Sequence, residues 1–304
     1  MQSSRARPLV SVIIPTRNRT GKLVRCLESV YASDYSELEV LVVDDASLDS
    51  VEDALSGRFP KTHFIRNQER MLLSCSRNAG AGASKGEYLF FLDDDNIVAP
   101  DAIGLLAHSL GTSNRVAVSS PIIFYLAQPD TVWTSYISKG RFAGFYTLHT
   151  EIPSSEAPTF AFHNSFMVKR AIFEELRGFD CANLPIRLGE VDFAHRLRDA
   201  GYIAIVNPGA RDWHDLGWAM VHIDSDRAFY TERNRIIILK RYYSARDLRF
   251  YEICLLPFLG LYHLVHQGLN SSDSPVKTAG SLMRGIVDGL RFKERTSGSD
   301  EKVF

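Results

Sequence analysis

Cysteine is scarce in this chain: four in 304 residues, at Cys26, Cys75, Cys181 and Cys254, with no C-x-x-C pair. That spacing indicates neither a disulfide framework nor a zinc knuckle, and it fits a reducing compartment. An excess of one charge is missing as well. The 35 Lys+Arg against 36 Asp+Glu leave a formal net charge of −1. No global positive field then exists to attract phosphate backbones, and nucleic acid is not an expected partner. Long apolar runs are few. The run at residues 9–15 is too short for a signal-peptide core and has no small-residue cleavage site, so secretion by that route is not expected. Residues 253–272 lack Asp, Glu, Lys and Arg, but contain Pro257, Gly260, His263, His266, Gln267 and Gly268, which a spanning helix carries at a cost. What remains is a chain 45% hydrophobic, long enough for a full core and too apolar to be disordered.

The first half alternates short apolar runs with amphipathic segments. Strands are expected at residues 9–15, 38–43, 62–65, 88–92 and 116–119. Helices are expected at 22–31, from about 49, at 74–84 and at 101–110. Such alternation points to a mostly parallel sheet covered by helices on both faces, with ligands bound beyond the carboxyl ends of the strands. The second half reads as a strand at 160–168, a helix at 189–200, a strand at 202–206 and a basic helix at 227–243; the tail after Arg291 reads as disordered.

Two acidic clusters, Asp44-Asp45 and Asp93-Asp94-Asp95, fall at expected strand ends and should share one crevice. Three adjacent carboxylates repel one another and need a cation or ready access to water. Hard oxygen ligands suit Mg²⁺ or Mn²⁺, especially where substrate phosphates complete the shell; a solvated turn is the plainer alternative. Gly80, Gly82 and Gly86 form G-x-G-x-x-x-G, one residue longer than a dinucleotide fingerprint and within or after a helical segment. A Rossmann cofactor site is therefore not expected. Glu190 and Asp192 open the helix at 189–200, where carboxylates also favour the helix N-terminus electrostatically.

Four stretches together resemble a family 2 glycosyltransferase of the GT-A fold, of rhamnosyltransferase-like type. They are VSVIIPTRNR at 10–19, VVDDASLDS at 42–50, SRNAGAGASKGEYLFFLDDDN at 76–96 and GEVDFAHRLRDAGY at 189–202. The resemblance implies a Rossmann-like mixed, mostly parallel sheet and an inverting, metal-dependent transferase. It would move a sugar from a nucleoside-diphosphate sugar to a glycan or lipid-linked acceptor. By the same resemblance Pro15, Arg17 and Arg77 lie near the donor, and Asp45 binds the nucleotide base. Asp93 and Asp95 match the DxD, with Asp95 the ligand of Mn²⁺ or Mg²⁺ and Asp93 or Asp94 nearer the ribose. Glu190 stands where the family carries its catalytic base, although Gly189 replaces the commoner first acid. His214 would join the metal shell, or be a packed histidine; carboxylate plus imidazole is a set Mn²⁺ accepts. Trp213 and Asp192 are candidate acceptor contacts, Trp213 being explained equally by core packing.

The expected organisation is a catalytic domain at 1–225, a basic and apolar helical extension at 226–292 and a disordered tail at 293–304. The ERNR stretch at 232–235 in the basic helix is similar to one in family members that act on lipid-linked acceptors, and with the charge-free run this resemblance implies contact with an anionic inner leaflet. The expected location is thus cytoplasmic and peripheral on the membrane. Rival readings are a sugar nucleotidyltransferase, which the absence of a glycine-rich loop after the first strand disfavours, and an inactive membrane-associated scaffold.

Overall fold

The structure is a computed structural model that describes residues 7–140, 146–216, 224–269 and 273–293. The apolar alternation of the first half becomes β1 (Val10–Thr16), α1 (Thr20–Tyr31), β2 (Leu38–Asp44), α2 (Val51–Leu55), β3 (Thr62–Arg66), α3 (Leu72–Ala83) and β4 (Tyr88–Leu92). After the acidic triplet follow β5 (Asn96–Val98), α4 (Ala102–Gly111) and β6 (Val116–Tyr125). The middle of the chain adds β7 (Gln128–Thr134), β8 (Ile137–Lys139), β9 (Tyr146–Leu148), β10 (Ala157–Thr159), β11 (Ser165–Lys169) and α5 (Arg170–Glu175). The last third holds α6 (Gly189–Asp199), β12 (Ile203–His214), α7 (Ser225–Tyr242), α8 (Ala245–Phe250), α9 (Leu256–Leu269) and α10 (Pro275–Arg291).

The main sheet runs β10-β12-β6-β11-β4-β1-β2-β3. Pairings among β4, β1, β2 and β3 are parallel, as is β6 with β12, whereas β11 is antiparallel to both β4 and β6. Strand alternation sends Val10, Val12 and Ile14 of β1 into the core under α1 and α4, and Ile13 into the core under α3 and α6. Burial on both faces is why these strands read as continuous apolar runs. Gly80 has a packing cause: a Cβ there would collide with Ile13 Cγ2, so the glycine lets α3 lie close on β1.

Three expectations change. The strand expected at 160–168 begins only at Ser165, because the preceding backbone is spent elsewhere: Phe160 N–H donates to Ile137 O, and Asn164 O accepts from Asp93 N–H. The strand expected at 202–206 continues to His214. Its register on β6 shifts between Asn207 and Arg211, around Pro208-Gly209, and pairing then resumes. Cys75 and Cys181, expected to stay unpaired, are joined in a disulfide with Cα atoms 4.9 Å apart, tying α3 to the loop before α6. The tail, which reads as disordered in the sequence, lies outside the described residues beyond Lys293.

The C-terminal helices pack as α7 against α10, so closely that a Cβ at Gly285 would collide with the Phe229 carbonyl. A π-helical turn at Tyr251–Leu255 joins α8 to α9, with Leu256 N–H donating to Tyr251 O. Pro257, which has no N–H, lies just beyond it. No helix among the described residues is long and apolar enough to cross a membrane.

Candidate active site

The two acidic clusters meet at the carboxyl ends of β1, β2 and β4. Thr16, which closes β1 opposite Asp44 of β2, donates its hydroxyl to Asp94 Oδ2 at 2.6 Å. Asp44 is tied locally, accepting from Ser47 N–H at 2.9 Å and from Arg66 at 3.0 Å. Asp45 accepts from Asn67 Nδ2 (2.9 Å), Met71 N–H (2.7 Å) and Leu72 N–H (2.9 Å). It thereby fixes the loop that leads into α3. Pro15 is buried at the end of β1. Arg17 follows it, its Nε shielded from solvent with no acceptor, and no carboxylate pairs with it among the described residues.

Arg77 is the centre of the arrangement. α3 delivers it, 1% exposed, between the rings of Phe166 and Phe179 at 5.6 and 5.7 Å. Its Nη2 pairs with Asp93 Oδ1 at 2.8 Å and its Nη1 with Glu190 Oε1. One guanidinium thus holds a carboxylate of the DDD triplet and the carboxylate of α6 in a single crevice. Glu190 Oε2 has no donor among the described residues. Burial pushes the Asp93 carboxyl above its ordinary range, against the pull of Arg77.

Asp94 and Asp95 face the start of α1. Arg19 reaches both, at 3.3 and 2.8 Å, and Lys22 stands 3.7 Å from Asp95. Burial raises Asp94 to about 7, although Arg19 opposes it. Asp95 moves the other way: burial works to raise it, but the hydrogen bond and charge of His214, with Arg19 and Lys22, hold it below its ordinary range. His214 arrives because β5, just after the triplet, pairs antiparallel with the end of β12 and sets Asn96 opposite His214. His214 Nε2 lies 3.3 Å from Asp95 Oδ1, and its Nδ1 is buried without a partner. A spacing of 3.3 Å is close to the roughly 3 Å between adjacent ligands of an octahedral cation with bonds of about 2.1 Å. The oxygen and imidazole donors therefore fit Mn²⁺ or Mg²⁺. Among the described residues no three or more His, Cys, Asp or Glu side chains form a ready-made metal cage, so a substrate's own oxygens would have to complete the shell.

Two sequence candidates sit apart from this group. Asp192 is fully buried, its oxygens accepting from Arg196 (2.9 Å), Arg241 (2.9 Å) and Tyr242 (2.7 Å), which locks α6 to α7. Trp213 packs on Phe124, with centroids 6.1 Å apart, and donates its indole N–H to Pro129 O at 3.0 Å. The tryptophan that enters the site is Trp133, on β7, flanked by His163 at 4.9 Å and His214 at 5.0 Å. His163 is neutral, with burial lowering it to about 4, and its Nε2 has no partner. Sequence reasoning missed Arg19, Lys22 and His163, and Trp133 was legible only as one of several aromatics at 125–160 that could form an acceptor wall. Only the first two left a signal, since Arg19, Lys22 and Arg25 recur every third residue along one face of α1.

The fold has close company among solved structures. One is GalNAc-T7 with UDP, GalNAc and Mn²⁺, at TM-score 0.61 and 18% identity over 70% of this chain and 44% of that one. Another is the mannosyltransferase PcManGT of Pyrobaculum calidifontis with GDP-Man and Mn²⁺, at TM-score 0.57 and 18% identity over 95% and 88%. The architecture is that of the GT-A glycosyltransferases. Residues 11–177, more than half of the sequence, match the family described as Glycosyl transferase family 2, and the chain belongs to that family. Its relatives include an uncharacterized glycosyltransferase of Haemophilus influenzae, 41% identical over 31% of each chain. GlyG of Streptococcus pneumoniae is 24% identical over 55% of this chain and 59% of its own. The match thus spans between 31% and 59% of the length of these two relatives.

Proposed function

We propose that the protein is a metal-dependent, inverting transferase that takes a sugar from a nucleoside-diphosphate sugar to a hydroxyl of a glycan or lipid-linked acceptor. The observation carrying this reading is the shared grip of Arg77 on Asp93 and Glu190 beside the Asp95–His214 pair. Two solved relatives by fold, with GDP-Man and Mn²⁺ in one and UDP, GalNAc and Mn²⁺ in the other, support the donor class. Pro15, Arg17 and the loop fixed by Asp45 form the nucleotide side, with Asp93 and Asp94 toward the ribose. Asp95 and His214 would hold the divalent cation, which supplies Lewis acidity and charge neutralisation to the diphosphate.

Arg77 fixes one oxygen of Glu190 and leaves Oε2 to accept the proton of the acceptor hydroxyl. The acceptor oxygen then bonds to the anomeric carbon as the bond from that carbon to the diphosphate oxygen breaks. The electron pair leaves with the nucleoside diphosphate. A single displacement by a hydroxyl with one general base inverts the anomeric centre. The polar groups of Asp192 and Trp213 are engaged elsewhere, so acceptor contacts are assigned to the cavity walls near Glu190. A panel of nucleotide sugars incubated with Mn²⁺ tests the reading. Nucleoside diphosphate release supports it; pyrophosphate release identifies a nucleotidyltransferase, and no product from any donor identifies a scaffold.

A second observation favours docking on a membrane surface. The turn into α9 and α9 itself expose Ile253 (72%), Phe258 (75%), Leu261, Tyr262 and Val265. Of the two elements expected to meet the membrane, the basic helix and the charge-free run, this apolar strip of the second is our candidate for the membrane-facing element.

A further inference from the structure

Next to Glu190 lies a cavity of about 240 Å³. At about 30 Å³ per water it holds about eight waters, the bulk of one sugar residue. Ile137, Tyr146 and Phe162 give it apolar walls, and its polar lining comes from Glu190, His163 and Arg187. Arg187 is the sole cation among these lining residues.

Arg187 is held there at a cost. Its Nη1 donates to Thr231 Oγ1 at 2.8 Å and to Arg227 O at 3.5 Å; its other N–H groups have no acceptor, and no carboxylate pairs with it among the described residues. Burial, together with the charges of Arg227 and Arg235, lowers it to about 10, against the opposing pull of the Glu232 and Asp224 carboxylates. The backbone is costly too, since Arg187 (φ 62°) and Leu188 (φ 59°) are both left-handed without being glycine. Asn234 of α7 secures that conformation, donating Nδ2 to Ile186 O at 2.7 Å and to Arg187 O at 3.0 Å.

A purely structural role does not account for the charge. Thr231 already donates its hydroxyl to Arg227 O at 2.6 Å, so its contact with Arg187 asks for a donor and not for a charge. A cation with no directly bonded carboxylate among the described residues, kept in a strained loop three residues before Glu190 and lining the same cavity, is placed to bind an anion that enters it.

We propose that the cavity receives an acceptor sugar that carries an anionic group, carboxylate or phosphate, and that Arg187 clamps this anion so that a neighbouring hydroxyl faces Glu190. The inference rests on the transferase reading for the role of Glu190, but the anion site stands or falls by binding alone. Arg187 is here a specificity-determining residue.

The test uses the full chain with Mn²⁺ and nucleoside diphosphate, titrated calorimetrically with glucuronate, glucose 1-phosphate and glucose. The charged probes should bind about ten- to a hundred-fold more tightly than glucose, as expected for charge-assisted hydrogen bonds in a part-buried site. Arg187→Gln should remove that preference while leaving nucleoside diphosphate affinity unchanged, and Arg187→Lys should restore part of it. Preference for glucuronate alone assigns a uronate, and preference for the phosphate alone assigns a phosphorylated or lipid-phosphate acceptor; either supports the site. Equal affinity of the parent for charged and neutral probes overturns it, whether or not Arg187→Gln folds. So does an unchanged preference in Arg187→Gln. Donor turnover without any charge preference would retain the transferase and remove the anion site. Charge preference without turnover would do the reverse.

Discussion

Arg77 gives two carboxylates different tasks by holding both. Glu190 keeps an oxygen free for the acceptor, so Glu190→Gln should bind donor as the parent does and lose transfer by a factor on the order of 10² or more. Parallel binding and turnover assays separate this from a misfolded variant, which would lose both. Asp95→Ala removes the oxygen that faces His214. Nucleotide affinity in this variant should no longer respond to Mn²⁺, whereas the metal-independent part of binding should persist. Equal Mn²⁺ dependence in variant and parent would remove Asp95 from the cation site. The carboxylates were legible in the sequence because short motifs carry them. His163 and Arg187 were not, and Trp133 read only as one aromatic among several, since these residues meet only after β7 folds back on β6 and the loop before α6 adopts left-handed backbone. A linear pattern has no means of showing that.

Between elements, the seam of α6 and α7 illustrates how charge pattern misleads. The basic residues of α7 suggested an outward face. In the structure Arg233 pairs with Asp288 at 2.5 Å, Arg241 with Asp180 and Asp192, and Lys240 caps carbonyls at the end of α10. Their partners lie about fifty residues away, beyond the reach of i,i+4 reasoning. The same seam buries His195, whose ring stacks on Tyr242 with centroids 4.0 Å apart. Burial, with Lys139 and Arg198 nearby, lowers His195 from 6.5 to about 4. Between those values the unfolded chain binds more protons than the folded one, so stability rises with pH. Acidification from pH 6.5 to 4 should therefore cost on the order of 2–3 kcal/mol through this residue. Denaturant melts of parent and His195→Phe at several pH values check this, and the variant should show a flatter profile over that window.

Across the whole molecule, the strand–helix alternation foretold the sheet. The antiparallel insertion of β11 between β4 and β6 left no comparable trace, because one apolar strand reads alike in either direction. The surface is likewise a property of the assembled chain: within the charge-free run, Leu256–Leu269 form a helix whose outward side chains include Phe258 and Leu261. If that strip docks on lipid, flotation with anionic vesicles should be lost in a Phe258→Asp, Leu261→Asp double variant with unchanged thermal stability. It should survive neutralisation of Arg233 paired with Asp288→Asn, since that charge faces protein. Flotation indifferent to the aspartates would reassign the strip.

The Cys75–Cys181 bond closes a covalent ring with a sequence separation of 106. Asp93, Asp94 and Asp95 lie inside that ring, while β1, β2, Glu190 and His214 lie outside it. A protease that cuts the exposed Ser154-Ser155 segment, which is within the ring, opens the ring without releasing either piece. Such a nicked protein should migrate as one band on a non-reducing gel and as two after dithiothreitol. The crosslink thus keeps the two pieces of a chain cut between β9 and β10 covalently joined until a reductant is added, with both halves of the catalytic crevice still on one molecule.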